Sequence, residues 1–554
     1  MAQRFHLVGL NCRFTHSTLS LFYLRHCLES NLPGCAVEIS QFTINDPYYD
    51  TLLRLSTGRA DALFFSVYIW NSGYVERLAR DLALLDPELP LVLGGPQAPY
   101  VDGGGTCTVV EGPVEGLGAE FYRDLEAGRP APVYRAEPVS GFPYPYREED
   151  FSLLLRNRSI YYESSRGCPF RCSYCLSARD TRVARKDVAT VAEELERLTA
   201  FDPKIVRFVD RTFNDDPERA AALWRFLARK PGRTVFHFEI APDRFTEEMF
   251  ASLEEVESGR FRFEIGIQST DPETLAAVDR RMDVERALET VRRLALLDTI
   301  HLHVDLILGL PGQTAGSFRA SFNRVFAAMP HYIQMGLLKV LPDTRLRERA
   351  AEHGLVFRAA PPYEILATRR LDHPTLARLH RFGECVETFF NNRWFRTLWD
   401  YLNGREEPWA FFDRLLETCE NEGFFDLSPT QELLARMVWQ LAQAREDRDL
   451  LLDILRHDWL RCGHRFLPDF LEAEPLAGTR ACLRRELPVA LPGLYDARTR
   501  AEFLKQGVFL RFSGPALAVI GLGEGNEPGT VCYLPEQTGG VLRHQRCVLV
   551  RTEP

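Results

Sequence analysis

The first 120 residues alternate short apolar runs with stretches in which apolar residues recur every three or four positions. The runs RFHLVGL, AVEISQFTI, DALFFSVYIW, LPLVLGG and TCTVVEG predict strands, and LSLFYLRHCLESNL and GYVERLARDLALL predict amphipathic helices. Strand followed by helix, repeated, predicts a doubly wound parallel sheet with helical crossovers. Such sheets take ligands in the crevice beyond the strand C-termini. The residues expected there are NCRFTHS, SVYIWN, GGPQAP and EGPVEG.

The Pro/Gly/Tyr-rich stretch EPVSGFPYPYREED breaks this pattern and reads as a linker. Strand signals then resume in SIYYESSRG, KIVRFVDRTFN, TVFHFEIAP, FRFEIGIQST, IHLHVDLILGLPG and HYIQMGLLKVLP, with helical segments between them. Six strand–helix units predict a partial (β/α)6 barrel of the TIM type. Beyond residue 360 the pattern turns helical, and strand-like VFLRF, ALAVIGL and VLRHQRCVLVR close the chain. The expected organisation is an α/β protein with a sheet domain over 1–140, a linker over 141–155, a barrel over 156–359 and a mainly helical domain over 360–554.

Composition narrows the classes. A chain of 554 residues is too long for one ordinary core, and 45% hydrophobic with 26% charged residues is a globular balance. The net charge of −10 lacks the basic excess of a dedicated nucleic-acid binder. No apolar run reaches membrane-span length and the N-terminus lacks signal-peptide regions, so a cytoplasmic protein is expected. Thirteen cysteines spread over so long a chain fit reduced thiols, some holding metal, better than a disulfide framework.

Three of those thiols are clustered. RGCPFRCSYCLS places Cys168, Cys172 and Cys175 within eight residues, directly after the apolar strand SIYYES and before a helix, at a barrel mouth. Thiolates select zinc or iron–sulfur clusters. A structural zinc would need a fourth ligand from elsewhere. A cubane held by three cysteines instead leaves one iron open to an outside ligand.

CxxxCxxC with aromatic Tyr174 before its last cysteine resembles the radical S-adenosylmethionine superfamily, and five further segments follow in order. RFVDRTFN, with Asp210, resembles the second-strand segment near the methionyl amine. FHFEI puts Glu239 at the end of the third strand, and EIGIQST, with Glu264, Gln268 and Ser269, resembles the fourth-strand motif near the ribose and carboxylate. DLILGLPGQT, with Asp305 and Gly309, resembles the fifth-strand segment under the adenine. LLKVLPDTRL, with Leu341, resembles the sixth-strand stretch, Asp343 replacing the usual glycine. Arg182 and Arg185 match basic positions common after the cluster. The resemblance implies a [4Fe-4S] cluster on Cys168, Cys172 and Cys175 with S-adenosylmethionine chelating its open iron.

The front domain resembles the cobalamin-binding domain that precedes many such barrels. The resemblance implies cobalamin contacts from Asn11, Arg13, Ser66, Tyr68, Gly94, Gly95, Glu111 and Gly112, with GGP and EGPVEG cradling the nucleotide tail. Mutase-type cobalamin domains carry DxHxxG, whose His ligates cobalt; counted from Asn11, that His falls on Arg13, and a guanidinium has no lone pair to donate. Cobalt is therefore expected to lack a ligand from Arg13, with Tyr68 and His16 as other lower-face candidates. APPYEIL and VETFFNNRWF resemble a C-terminal domain of unknown function, DUF4080, found behind some cobalamin-dependent members. Cys462 and His464 in RCGHRF lack a second ligand pair and read as structural.

These resemblances together imply a cobalamin-dependent radical enzyme, most simply a C-methyltransferase acting on an unactivated carbon through a 5′-deoxyadenosyl radical and methylcobalamin. It would use an unidentified substrate and an external electron donor such as ferredoxin or flavodoxin, with no membrane partner and no strong sign of nucleic acid. A radical cyclase or rearrangement enzyme would use the same cofactors. A methylthiotransferase would need a second cluster on three of Cys12, Cys27, Cys35 and Cys107, but Cys27 falls within an amphipathic helix and Cys35 after it, away from the strand ends. A thiolate–zinc or nucleic-acid adaptor is opposed by charge and barrel motifs.

Overall fold

The computed structural model describes residues 3–550 apart from Thr106, Asp180, Thr181, Arg393, 474–504, Glu524 and Gly525. Strands β1 (Arg4–Asn11), β2 (Ala36–Thr43), β3 (Ala62–Ser66), β4 (Leu91–Gly94), β5 (Cys107–Glu111) and β6 (Val133–Arg135) form one parallel sheet in the order β2-β1-β3-β4-β5-β6. The sixth strand is only three residues, VYR, too short to leave a periodic signal. The sheet is buried on both faces. Phe5, Leu7, Phe64, Val92 and Val110 meet the helix Leu19–Asn31 on one side, and Val8, Leu10, Phe65 and Leu93 meet the helix Ser72–Leu85 on the other. The strand order reverses between β1 and β3, so the crevice opens beyond Asn11 and Ser66.

The second sheet holds β7 (Ile160–Tyr162), β10 (Ile205–Phe208), β11 (Val235–Ile240), β12 (Phe261–Gln268), β13 (Ile300–Leu308) and β14 (Tyr332–Leu337), all parallel and adjacent in chain order. Two short strands, β8 (Ser165–Arg166) and β9 (Ala184–Arg185), pair antiparallel and bracket the cysteine loop. Val206, Phe208, Phe236, Phe238, Phe261, Phe263, Leu302 and Val304 point to the helix layer and are essentially inaccessible. There Phe208 stacks on Phe238 at 4.7 Å and Trp224 on Phe263 at 5.1 Å. Most of the alternate positions, which face the barrel interior, are polar, among them Arg207, His237, Glu239, Arg262, Glu264, His303 and Asp305.

Side chains lock the two sheets together. Arg25 of the first helix grips Asp150 through Nη1–Oδ1 at 2.7 Å and Nη2–Oδ2 at 2.5 Å, with both residues buried. Arg158 donates to the Phe14 and His16 carbonyls, Ser17 to the Ser159 carbonyl, and Gln97 to Tyr363. On the far side the helix His373–Phe389 packs against edge strand β14, and Asn391 just beyond it both accepts from the Ile333 amide at 2.8 Å and donates to the Ile333 carbonyl at 2.9 Å. Backbone groups that would template aggregation at an open edge are thereby occupied.

Toward the C-terminal side three antiparallel strands follow, β15 (Val508–Phe512), β16 (Gly529–Gln537) and β17 (Gln545–Val550). ALAVIGL, expected as a strand, lies instead mostly in the helix Gly514–Val519. Ser513 and a proline in the first turn start that helix, which outweighs the apolar run. No described helix is long and apolar enough to cross a membrane.

Candidate functional site

The cysteine loop is fastened before and behind. Asp210, fully buried at the end of β10, accepts from the Ser164 amide at 2.8 Å and from the hydroxyls of Ser164 and Ser165 at 2.5 and 2.6 Å. Inside the loop the Ser173 amide donates to the Val278 carbonyl at 2.9 Å and the Leu346 amide to the Ser173 carbonyl at 2.9 Å. Cys168, Cys172 and Cys175 then line one cavity of about 270 Å3 at the barrel mouth, together with Tyr174, Arg211, Thr212, Glu239, Glu264, Gly266, Gln268, Arg280 and Asp305. Cys168 Sγ lies 3.6 Å from Thr212 Oγ1, and burial raises its thiol pKa.

Three carboxylates converge on this cavity. Burial pushes Glu239 up to about 7, with Arg211 opposing and Glu264 and Asp305 adding to the rise. Burial also raises Asp305, against the pull of His303 at 3.2 Å. The His237 hydrogen bond at 3.0 Å holds Glu264 down despite its burial. Carboxylates that resist ionising side by side are short of a cation. The Gln268 carbonyl oxygen is also buried without a hydrogen-bond partner, on a residue held at φ +67°. Gly266 permits this: a Cβ there would fall 2.4 Å from Gln268 Nε2. Among the described residues no three His, Cys, Asp or Glu gather closely enough for a single metal ion. The three cysteines line one cavity whose other walls are carboxylates, room that fits a three-thiolate cubane.

Of the residues expected at this site, Tyr174, Glu239, Glu264, Gln268 and Asp305 line the cavity with the three cysteines. Four others do not. Asp210 is spent on the serine clamp. Ser269 is buried and bonds the Asp271 amide at 3.1 Å, capping the next helix. Gly309 turns at φ +86° against Ile365, and the Leu341 carbonyl accepts from Thr344. Arg185 is paired with Asp215 on the far side of the loop. Arg280 was not anticipated: Nη1 reaches Cys172 Sγ at 3.5 Å and Nη2 donates to the Gly266 carbonyl.

A second cavity, of about 200 Å3, lies in the front sheet between the helix Leu19–Asn31 and β3–β5. Its walls include Leu21, Leu24, Phe64, Val92 and Val110, with Ser66, Tyr68, Gly94, Gly95 and Gly112 at the strand ends. A Cβ on Gly94 would enter open space, whereas Gly95, at φ +107°, would bring one within 2.5 Å of the Val67 carbonyl oxygen. This apolar slot with a glycine rim fits a flat, buried ring system such as the nucleotide tail of cobalamin. Tyr68 stacks on Trp70 at 4.3 Å above it.

Three residues expected here lie elsewhere. Asn11 is buried and braces β1, accepting from Thr18 at 3.0 Å. Glu111 pairs outward with Arg135 at 3.1 Å. Arg13 is exposed on the loop after β1. His16 hydrogen-bonds through Nδ1 to Tyr161 of β7, and burial, then Arg207 and Arg13, lower its pKa. His464 stacks on Trp459 at 4.0 Å and bonds Gln431, a packing role.

Residues 162–325 match the Radical SAM superfamily, and residues 351–486 match a protein family of unknown function, DUF4080. Over 417 residues the chain is 25% identical to a 2-(S-pantetheinyl)-carbapenam-3-carboxylate methyltransferase of Streptantibioticus cattleyicolor, covering 64% of this chain and 61% of that one. It is 26% identical over 310 residues to a ribosomal protein uS12 methylthiotransferase, RimO, of Syntrophobacter fumaroxidans, covering 54% of this chain and 63% of that one. The chain thus spans about three fifths of the length of these curated relatives. Its fold is shared by the cobalamin-dependent S-adenosylmethionine radical enzyme OxsB, solved with aqua-cobalamin and S-adenosylmethionine bound, at TM-score 0.56 and 14% identity over 91% of this chain and 83% of that one.

Proposed function

Because the chain carries a radical S-adenosylmethionine domain over residues 162–325, we propose that it is a cobalamin-dependent methyltransferase acting on an unactivated carbon. The observation that carries this reading is the single cavity ringed by Cys168, Cys172 and Cys175 on one side and by Glu239, Glu264 and Asp305 on the other. When bound, the cluster and S-adenosylmethionine supply one-electron bond-cleavage chemistry and cobalamin supplies a transferable methyl group.

The residues of this chain bind and orient. The three cysteines are the cluster ligands, and Arg280 holds Cys172 in place from behind. The carboxylates meet the positive charge of S-adenosylmethionine, Gln268 offers its unpartnered carbonyl oxygen, and Tyr174 gives the adenine an aromatic wall. Ser66, Tyr68, Gly94, Gly95 and Gly112 would hold cobalamin at the front sheet's cavity. Electrons come from an external donor such as ferredoxin or flavodoxin.

The likeness to a methylthiotransferase favours a second reading, which requires a further cluster in the front domain. The cysteines there argue against it: Cys12 follows the C-terminal end of β1, Cys107 begins β5 at the opposite edge, and Cys27 is buried in a helix. A radical cyclase differs in product mass. The test is anaerobic incubation of cluster- and cobalamin-loaded protein with methyl-deuterated S-adenosylmethionine and an extract of the native cells. Deuterated methyl groups in a product, with 5′-deoxyadenosine released, are expected. Release of 5′-deoxyadenosine without label transfer would make the enzyme a cyclase or rearrangement catalyst.

A further inference from the structure

Below the carboxylates runs a row of a different character. Register pairs Tyr161 of β7 with Arg207 of β10, Arg207 with His237 of β11, His237 with Arg262 of β12, and Arg262 with His301 of β13. Residues paired in register point the same way, so these five side chains form one belt across the inner face of the barrel. The carboxylates Glu239 and Glu264 stand two residues further along the same strands, about 7 Å higher at the strand rise. A parallel sheet usually fills its interior with Val, Ile and Leu. This one carries two arginines instead.

Among the described residues the two arginines have no counter-ion in contact. Neither Arg207 nor Arg262 has a carboxylate within ion-pair distance among the described residues, and Arg207 Nε is buried without any hydrogen-bond partner. Glu264, the carboxylate whose charge Arg207 feels, is already engaged by His237 at 3.0 Å. Arg262 also feels its neighbour. Burial and then Arg207 lower the pKa of Arg262, and burial, His331 and Arg262 drive His301 down to about 3, leaving a neutral ring that can still donate. His16 reaches the same belt from the front domain through Tyr161.

We propose that Arg207 and Arg262, with His237 between them, form an oxyanion-binding site for a carboxylate or phosphate group on the substrate. Arg207 is half-buried and Arg262 solvent-accessible, so a ligand can reach both guanidinium groups, and a bound anion relieves the repulsion between two like charges held on one face. Arginine suits the task because its fork matches carboxylate and phosphate oxygens. The inference rests on the reading of the barrel as a radical enzyme and names the substrate class: an acid whose anionic group lies at the belt while its reacting carbon rises toward the cysteine cavity.

The test uses the full chain with its cluster, at constant ionic strength, comparing sodium phosphate, sodium acetate and sodium chloride by melting temperature. Phosphate or acetate is expected to raise the wild-type melting temperature by several degrees over chloride. A larger response to phosphate identifies a phosphorylated substrate, and a larger response to acetate a carboxylic acid. R207Q/R262Q is expected to lose the anion response while keeping its iron content and S-adenosylmethionine affinity, and to melt higher than wild type in chloride. If that variant does not fold, phosphate protection of the wild-type arginines from phenylglyoxal, read by peptide mass, replaces it. A wild type indifferent to both anions, or variants that respond like wild type, would overturn the proposal. Failure of the protein to take up iron would instead strike the functional reading, since anion response and iron content are separate readouts on one sample.

Discussion

The guanidinium of Arg280 donates to the sulfur of Cys172 across 3.5 Å while its other terminal nitrogen donates to the Gly266 carbonyl. A cation and an N–H at a ligand sulfur stabilise the reduced, more negative form of an iron–sulfur cluster. Arg280→Gln is expected to keep its iron yet lower the cluster's reduction potential by on the order of tens of millivolts, read by an electron paramagnetic resonance redox titration. An unshifted potential at full iron content would remove Arg280 from this role.

Tyr174 forms part of the same wall and is half-buried. If it backs the adenine, Tyr174→Ala weakens S-adenosylmethionine binding by roughly 1–2 kcal/mol, the worth of one aromatic contact, and leaves iron content unchanged. Calorimetric titration of the cluster-loaded variant measures this.

Glu239 gives the site a pH dependence. Its pKa near 7 means that below neutrality a proton competes with any cationic ligand for the carboxylate. Affinity for S-adenosylmethionine is expected to fall as pH drops below 7, by up to about tenfold per unit, and Glu239→Gln is expected to bind weakly at every pH without that slope. The apo protein shows the opposite sign. Because the folded pKa is raised, the protonated carboxyl favours folding at low pH, and that contribution is lost as pH rises through about 7; the variant lacks the loss.

Gly94 and Gly95 separate the cavity from its frame. Gly94→Val puts a side chain into open space, so the melting temperature holds while cobalamin is no longer retained, read by its visible absorbance. Gly95→Ala must unstrain φ +107° and a 2.5 Å approach to Val67, and is expected to destabilise by more than about 1 kcal/mol. Equal effects of the two changes on cobalamin and on stability would contradict the assignment of the slot.

The parts legible in the sequence were those set by local pattern. The alternation of strand and helix predicted both parallel sheets, and CxxxCxxC after SIYYES predicted a cysteine loop at the barrel mouth. What pattern could not supply was direction. Asp210, Ser269, Gly309 and Leu341 stand in the expected segments, but their polar groups or backbones are used by Ser164, Asp271, Ile365 and Thr344. Arg280 comes from a loop more than a hundred residues beyond Cys172, and no spacing rule joins them. The cationic belt did leave a signal: VFHFEI, FRFEIGI and IHLHVDLIL alternate, where parallel strands buried on both faces would be continuously apolar.

Cys168, Cys172 and Cys175 are proposed to hold one cubane cluster whose fourth iron is left to S-adenosylmethionine. The direct measurement is iron and sulfide content with electron paramagnetic resonance of anaerobically reconstituted protein, with and without S-adenosylmethionine, beside the triple cysteine-to-alanine variant. About four irons per chain are predicted, with a reduced-cluster signal that shifts on adding S-adenosylmethionine, and none in the variant. Full iron content in the variant, or a wild-type signal indifferent to S-adenosylmethionine, would contradict the account.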